Sequence, residues 1–231
     1  MEATIYTDGT YLSKNPDWHA DDSAWKATHV AAMLAKHGLA PKSVCEVGCG
    51  SGEILVQLAS KLPAGVRYAG YDISADAYAL CSRKAGGAFE FHHADLLETE
   101  SHFDLVLAMD VFEHVEDYFS FLRKLRARGR HKLFHIPLEM SALWVARGQP
   151  LVKQWRDVGH LHAFTRDTAL AALEHTGYRV IDSVYTSGRT ELPNLGWKTR
   201  LLKGPRKLAY AIAPHVAARV LGGYSLLVLA E

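Results

Sequence analysis

Residues 45–55 read Cys-Glu-Val-Gly-Cys-Gly-Ser-Gly-Glu-Ile-Leu, with three glycines at 48, 50 and 52 set between two apolar runs. Ser43 to Val47 has the composition of a short buried strand, and Glu53 to Ala59 that of an amphipathic helix start. The glycines therefore occupy a strand-to-helix turn. Downstream, strand-like segments alternate with helical ones: 66–71, 89–92, 103–109, 131–136, 179–186 and 225–229 read as strands, and Pro137 is expected to stop the fifth. A helix is expected from about Asp117 to Arg128. Another runs from Arg166 to His175, where Gly177 suits a C-terminal cap. This alternation predicts an α/β fold, a doubly wound and mainly parallel seven-stranded sheet with helices on both faces. Ligands of such sheets bind beyond the carboxyl ends of the strands, where strand order reverses.

The chain has 231 residues, 48% of them hydrophobic, enough for the core of one α/β domain. Its 26 basic and 25 acidic residues nearly cancel, so no overall field favours nucleic acid. Cys45, Cys49 and Cys81 form no CxxC pair and read as reduced, buried thiols, with a catalytic cysteine as the alternative. The first residues lack a basic start and an apolar run, so no signal peptide is expected, and the setting expected is cytoplasmic. The apolar stretch from Ala209 to Ala230 is interrupted by Pro214, Arg219 and Gly222-Gly223. An arginine near the middle of a membrane span costs roughly 2.5–3.5 kcal/mol, so a helix, a turn and a final strand fit better.

The glycine spacing departs from the dinucleotide fingerprint GxGxxG, because Glu53 stands where the third glycine would fall. Glu46, two residues before Gly48, gives the turn an acidic rim that suits a cationic ligand better than a pyrophosphate. Asp72 ends the second strand, where a carboxylate can accept from both ribose hydroxyls; Asp95 follows the third and can accept from an adenine amino group. Simpler roles compete: a helix cap for Asp72, which Ser74 would serve equally well, and a solvated loop for Asp95.

With these residues in place, the sequence resembles the class I, seven-stranded S-adenosylmethionine-dependent methyltransferases, most clearly over residues 40–137. Val44-Cys45-Glu46-Val47-Gly48-Cys49-Gly50-Ser51-Gly52 looks like the family's first motif, Tyr71-Asp72-Ile73-Ser74 like its ribose-binding strand end, and Ala94-Asp95-Leu96 like its adenine loop. Phe103 to Val106 and Asp110-Val111-Phe112-Glu113-His114-Val115 look like its fourth-strand motif. The resemblance implies S-adenosyl-L-methionine as cofactor. Glu46, Gly48, Cys49, Gly50 and Gly52 would then surround its methionine end, Asp72 and Ile73 the ribose and adenine, Asp95 and Leu96 the adenine edge, and Asp110 and Val111 the methyl-bearing sulfur.

One methyltransferase domain over 1–231 is expected: an N-terminal helical lid at 1–40, a cofactor half at 41–137, and an acceptor half at 138–231 with a basic helical insert at about 192–222. In the lid, Trp25 and Lys26 are expected near the cofactor, with Lys26 pairing with its carboxylate, while Trp18 and His19 face the acceptor. Leu138 to Val158 reads as irregular. It leads into Gly159-His160-Leu161-His162-Ala163-Phe164-Thr165, where Thr165 reads as a helix N-cap. His160 and His114 are the candidate proton acceptors, with His162 as an acceptor contact. In an extended chain His160 and His162 point opposite ways, so at most one of them easily faces the acceptor. No ligand spacing supports a metal site built from His160, His162 and nearby acids. Lys198, Arg200, Lys203, Arg206, Lys207 and Arg219 fall in a stretch without acids, suited to a phosphorylated acceptor or an anionic membrane surface, while Leu201, Leu202, Leu208, Ile212, Val216 and Val220 give it an apolar side.

The reading that results is O-methylation of a small molecule, such as a sugar or a glycan or secondary-metabolite intermediate. A quinone or lipid acceptor is the alternative within the class. Outside it stand a non-catalytic cofactor- or partner-binding protein of the same fold and a nicotinamide oxidoreductase.

Overall fold

The computed structural model describes Trp18, residues 20–191 and residues 197–231. His19 lies outside the described residues, as do the side chains of Lys198, Arg200, Leu201 and Leu202. In chain order the elements are α1 (Ser23–Lys36), β1 (Ser43–Val47), α2 (Glu53–Ala59), β2 (Arg67–Asp72), α3 (Ala75–Cys81), β3 (Phe89–His93), β4 (Phe103–Met109), α4 (Tyr118–Arg126) and β5 (Gly129–Leu138). There follow α5 (Ala142–Arg147), α6 (Gln149–Val158), α7 (Arg166–His175), β6 (Val180–Thr186), α8 (Gly188–Glu191), α9 (Trp197–Ile212), α10 (Pro214–Leu221) and β7 (Tyr224–Ala230).

The strands form one sheet of order β3-β2-β1-β4-β5-β7-β6, parallel except for β7, which runs antiparallel to both neighbours. β1 is buried along its whole length, as a central strand covered on both faces must be. Alternation along β4 divides the core. Leu105 and Leu107 join Val30, Leu34, Leu55, Leu58 and Leu133 on the α1 and α2 side. Val106 and Ala108 join Phe112, Leu122, Leu125, Phe134 and Leu173 on the α4 and α7 side. In α1 the buried Ala27, Val30, Met33 and Leu34 keep the spacing of a single helical stripe. Strand order reverses between β1 and β4, so their carboxyl ends open the crevice that holds the site.

Two expectations are corrected. β5 does not stop at Pro137: it continues to Leu138, with Pro137 opposite Ser225 of β7. The ladder between β4 and β5 has already ended at Met109 and His135, so no strand on that side requires an N–H from Pro137. The stretch from Leu138 to Val158 is not irregular either. Ser141 caps α5 by accepting from the Trp144 N–H at 3.4 Å, Gly148 at φ +62° separates the two helices, and Gly159 at φ +80° ends α6. The signals were a serine cap, a proline in the first turn of α6 and a glycine after it. Among the described residues no helix is long and apolar enough to cross a membrane.

Candidate active site

The turn after β1 places Gly48, Gly50 and Gly52 at φ +64°, +52° and +72°. A β-carbon at Gly52 would lie 2.6 Å from the Phe91 ring, and one at Gly50 would fall on the Trp18 indole. Both positions therefore need glycine for backbone and for space. The turn is tied to the next strand through Asp72, whose Oδ2 accepts from Gly50 N–H and whose Oδ1 accepts from Ser74 N–H, each at 2.8 Å. Ser74 caps α3, leaving Asp72 to the turn. Burial pushes the Asp72 carboxyl above its ordinary pKa, even though the two backbone donors favour its charge.

A cavity of about 570 Å³ opens over this turn, walled by Glu46, the N-terminal end of α1, the ends of β4 and β5, and the His160 segment. In its wall Asp110, itself at φ +57°, takes His135 Nδ1 at 2.6 Å on one oxygen and Lys26 Nζ at 2.8 Å on the other. Lys26 also meets Asp22 at 3.0 Å, and His135 Nε2 meets Thr186 Oγ1 at 2.9 Å. Burial alone would raise the Asp110 carboxyl, but His135 and Lys26 outweigh it and hold the pKa well below the usual carboxylate range. Burial likewise opposes the charge on Lys26, and the paired Asp110 and Asp22 overturn that and raise it. Lys26 thus belongs to two protein carboxylates rather than standing ready for a cofactor carboxylate. Trp25 lines the cavity and donates from Nε1 to Glu191 at 2.6 Å.

Among the described residues, two acids of the site lack such partners. Glu46 is 1% exposed with Oε2 unpartnered, and Glu113 is fully buried with neither carboxylate oxygen hydrogen-bonded. Burial pushes both pKa values well above the ordinary carboxylate value.

The structure brings His114 and His160 together, with ring centres 4.6 Å apart edge to face, and both line the cavity. His114 Nδ1 donates to the Gly159 carbonyl at 3.0 Å. His160 Nδ1 donates to Glu139 at 2.8 Å, and the same Glu139 oxygen accepts from Gln154. His162 turns away from the cavity: its Nε2 bonds the Val115 and Glu116 carbonyls at 3.0 and 3.2 Å, and its ring packs on Tyr118. Trp18 and Met109 also line the cavity, while Val111 packs beneath Gly48.

Asp72, Ile73, Asp95 and Leu96 are not part of the cavity wall but lie along the adjoining edge, since Asp72 pairs with His93 and Ala94 N–H donates to the Asp72 carbonyl. Ile73 is 61% exposed there, Leu96 is buried, and Asp95 caps the turn that follows by accepting from Leu97 N–H at 2.8 Å. Sequence reasoning missed Asp22, Glu113, His135, Glu139 and Thr186. A lone histidine inside the apolar run Leu133-Phe134-His135-Ile136 was the available signal for one of them.

Residues 18–183 match the family described as "Methyltransferase domain", and the chain belongs to that family. Ubiquinone biosynthesis O-methyltransferase of Aromatoleum aromaticum is 33% identical over 87 residues, 35% of this chain; the matched segment spans about a third of that relative's length, 36%. Among solved structures, magnesium protoporphyrin IX methyltransferase from Synechocystis PCC 6803, with bound SAH, aligns at TM-score 0.60 and 20% identity over 90% of this chain and 81% of its own. The N-methyltransferase NodS from Bradyrhizobium japonicum WM9, in complex with S-adenosyl-L-homocysteine, aligns at 0.59 and 15% over 96% and 98%. The cyclopropane synthase MmaA2 from Mycobacterium tuberculosis aligns at 0.62 and 15% over 88% and 83%. These likenesses confirm the seven-stranded fold of the class.

Proposed function

We propose that the protein binds S-adenosyl-L-methionine across the glycine turn and transfers its methyl group to an oxygen of a small polar acceptor, such as a sugar or a glycan or secondary-metabolite intermediate. The observation that carries this reading is the buried Glu46 carboxylate, with one oxygen unpartnered, beside the left-handed Gly48 and Gly50 in the cavity wall. A buried acid with an open acceptor position suits a ligand that brings its own cation. Glu46 and the turn would hold the methionine end, Gly48, Cys49, Gly50 and Gly52 giving close backbone approach. Asp72 and Ile73 would take the ribose and adenine, with Asp95 and Leu96 at the adenine edge, and Asp110, Val111 and Trp25 the wall near the sulfur.

His114 and His160 face the acceptor side. As the acceptor oxygen forms its bond to the methyl carbon, the carbon–sulfur bond breaks, S-adenosylhomocysteine leaves, and the hydroxyl proton goes to the histidine side. In-line placement alone can supply roughly 7–11 kcal/mol of the barrier, so the base is a secondary contribution.

The test is calorimetric binding of S-adenosylhomocysteine to the protein and to Glu46→Gln, followed by transfer of labelled methyl into a fractionated cell extract. Binding weakened about tenfold in Glu46→Gln, ~1.4 kcal/mol, with label in the aqueous phase, is the expected result. Binding of NADH in place of S-adenosylhomocysteine would overturn it, and cofactor binding without turnover would leave a non-catalytic binding protein.

A quinone or lipid acceptor is the second reading. It is favoured by the exposed Leu208, Ile212, Val216 and Val220 on α9 and α10, beside the exposed Lys207, and by the 87-residue match to a ubiquinone biosynthesis O-methyltransferase. Label in the organic phase would select it, and with it a peripheral membrane contact for the basic insert.

A further inference from the structure

Glu113 occupies the short turn Phe112–His114 between β4 and α4. Its backbone carbonyl accepts from Leu161 N–H at 2.9 Å and His162 N–H at 3.1 Å, which pins the turn against the His160 segment. The side chain is enclosed with them, yet among the described residues both of its oxygens lack a hydrogen-bond donor. Buried carboxylates normally have hydrogen-bond or ionic partners, because stripping water from an unpaired one is costly. Asp110 and Glu139 add negative charge nearby rather than relieving it.

One carboxylate oxygen of Glu113 and one ring nitrogen each of His114 and His160 lie within 4.8 Å of one another. The surroundings of the two rings decide which nitrogen of each is able to ligate. Carbonyl and carboxylate oxygens accept, so His114 Nδ1 and His160 Nδ1 carry their protons toward Gly159 and Glu139. In the neutral rings Nε2 then holds the lone pair. Fixing imidazole through its second nitrogen, on a carboxylate or a backbone carbonyl, is the usual outer support of metal-ligating histidines.

We propose that Glu113, His114 and His160 form a binding site for a divalent first-row transition ion, such as Zn²⁺, Mn²⁺ or Co²⁺, with Glu139 as the positioning residue behind His160. Two imidazoles and one carboxylate suit such ions better than Mg²⁺, which favours oxygen ligands and retained water. Bonds of roughly 2.0–2.2 Å require the three donors to draw somewhat closer together, within reach of side-chain torsions. The two histidines line the cavity, so the remaining coordination positions open toward the acceptor. The site deepens the methyltransferase reading and rests on it for its role: with the ion bound, His114 and His160 would serve as its ligands rather than as proton acceptors, an acceptor hydroxyl on the ion would release its proton to solvent more readily, and the oxygen would be held for attack. The fold also explains why spacing in the sequence gave no such site. His160 and His162 diverge, and Glu113 and His114 come from a distant turn.

The test does not depend on turnover. The protein is stripped with EDTA, then titrated with Co²⁺, Zn²⁺ and Mg²⁺ by calorimetry, with visible absorption for Co²⁺ and thermal unfolding followed alongside. The expected result is one equivalent of Co²⁺ or Zn²⁺ per chain with a raised Tm, little response to Mg²⁺, and Co²⁺ absorption bands that shift in His160→Ala. Glu113→Gln should unfold at the same or a higher temperature than the metal-free protein, and should lose the metal-induced rise. Glu139→Gln should bind roughly 10–100-fold more weakly. His37→Ala, far from the cavity, should leave the stoichiometry unchanged.

Absence of stoichiometric binding overturns the proposal, as does affinity unchanged in Glu113→Gln. If Glu113→Gln does not fold, Glu139→Gln decides, and unchanged affinity there overturns it. S-adenosylhomocysteine titrated in parallel separates the two readings: failure of that ligand to bind removes the methyltransferase assignment while leaving the cation site standing.

Discussion

The N–H of Gly50 donates to Oδ2 of Asp72 at 2.8 Å, tying the turn after β1 to the end of β2. One carboxylate therefore shapes the glycine turn and stands at the position expected for the ribose. Asp72→Ala should weaken S-adenosylhomocysteine binding by roughly 1.5–3 kcal/mol, the range for hydrogen bonds to charged groups. Titration calorimetry checks this, and a loss under about 0.3 kcal/mol would mean that Asp72 serves the turn alone.

Gly52→Ala places a methyl group 2.6 Å from the Phe91 ring and 3.0 Å from Cys81 Cβ, on a backbone at φ +72°. The left-handed conformation alone costs about 1–2 kcal/mol for an L-residue. Thermal unfolding should show a Tm drop, and cofactor affinity should fall with it because the turn cannot keep its shape. Gly65→Ala is the control: it shares the positive φ but meets nothing within 4 Å, so it should destabilise less and leave affinity unchanged.

Removing the Lys26 ammonium leaves Asp110 with His135 as its remaining ionic partner among the described residues. Breaking one side of a buried ion pair costs about 3 kcal/mol or more. Chemical denaturation of Lys26→Met should show that loss. Refilling the site with arginine should recover only part of it, because the longer fork does not fit a pocket shared by Asp22 and Asp110.

Lys132 is 3% exposed, donates to the Gly129 carbonyl, and sits 5.5 Å from the Tyr178 ring centre. Burial, aided by Arg126, lowers its pKa from the ordinary 10.5 to about 8. Between those values the unfolded chain keeps a proton that the folded chain has released, so this residue's contribution to stability rises with pH across the window and is least favourable below pH 8. Lys132→Met should therefore be more stable than the unmodified protein at pH 7, by about 1–2 kcal/mol. Denaturation curves at pH 7, 8 and 9.5 should show the advantage shrinking, and a constant difference would contradict the assignment.

The two histidines of the Gly159–Thr165 segment should behave differently. His160 lines the cavity, so His160→Ala should lower kcat by about 10²–10⁴ with folding intact. His162 is bonded to the Val115 and Glu116 carbonyls, so His162→Ala should lower Tm and leave kcat nearly unchanged. Steady-state kinetics beside thermal melts distinguish the two, and equal kcat losses would place both at the acceptor.

Local chemistry alone set much of this molecule. Period-two and period-3.6 patterns marked the strands and most helices, and the glycines at 48, 50 and 52 marked the turn, because backbone sterics act between near neighbours. The acids after successive strands were legible for the same reason: their positions follow from strand ends in a parallel sheet. Partnership was not legible. Lys26 lies 84 positions from Asp110, His135 meets Thr186 across 51, and Glu139 reaches His160 across 21; no local rule relates such pairs. The same holds for the turn of His162 away from the cavity and for the enclosure of Glu113, since burial and charge pairing depend on which distant segments the sheet order brings together. Sequence determined the scaffold and the glycine turn, and tertiary structure decided which charges are paired within the protein and which are buried without a described partner, because pairing depends on segments distant in the chain.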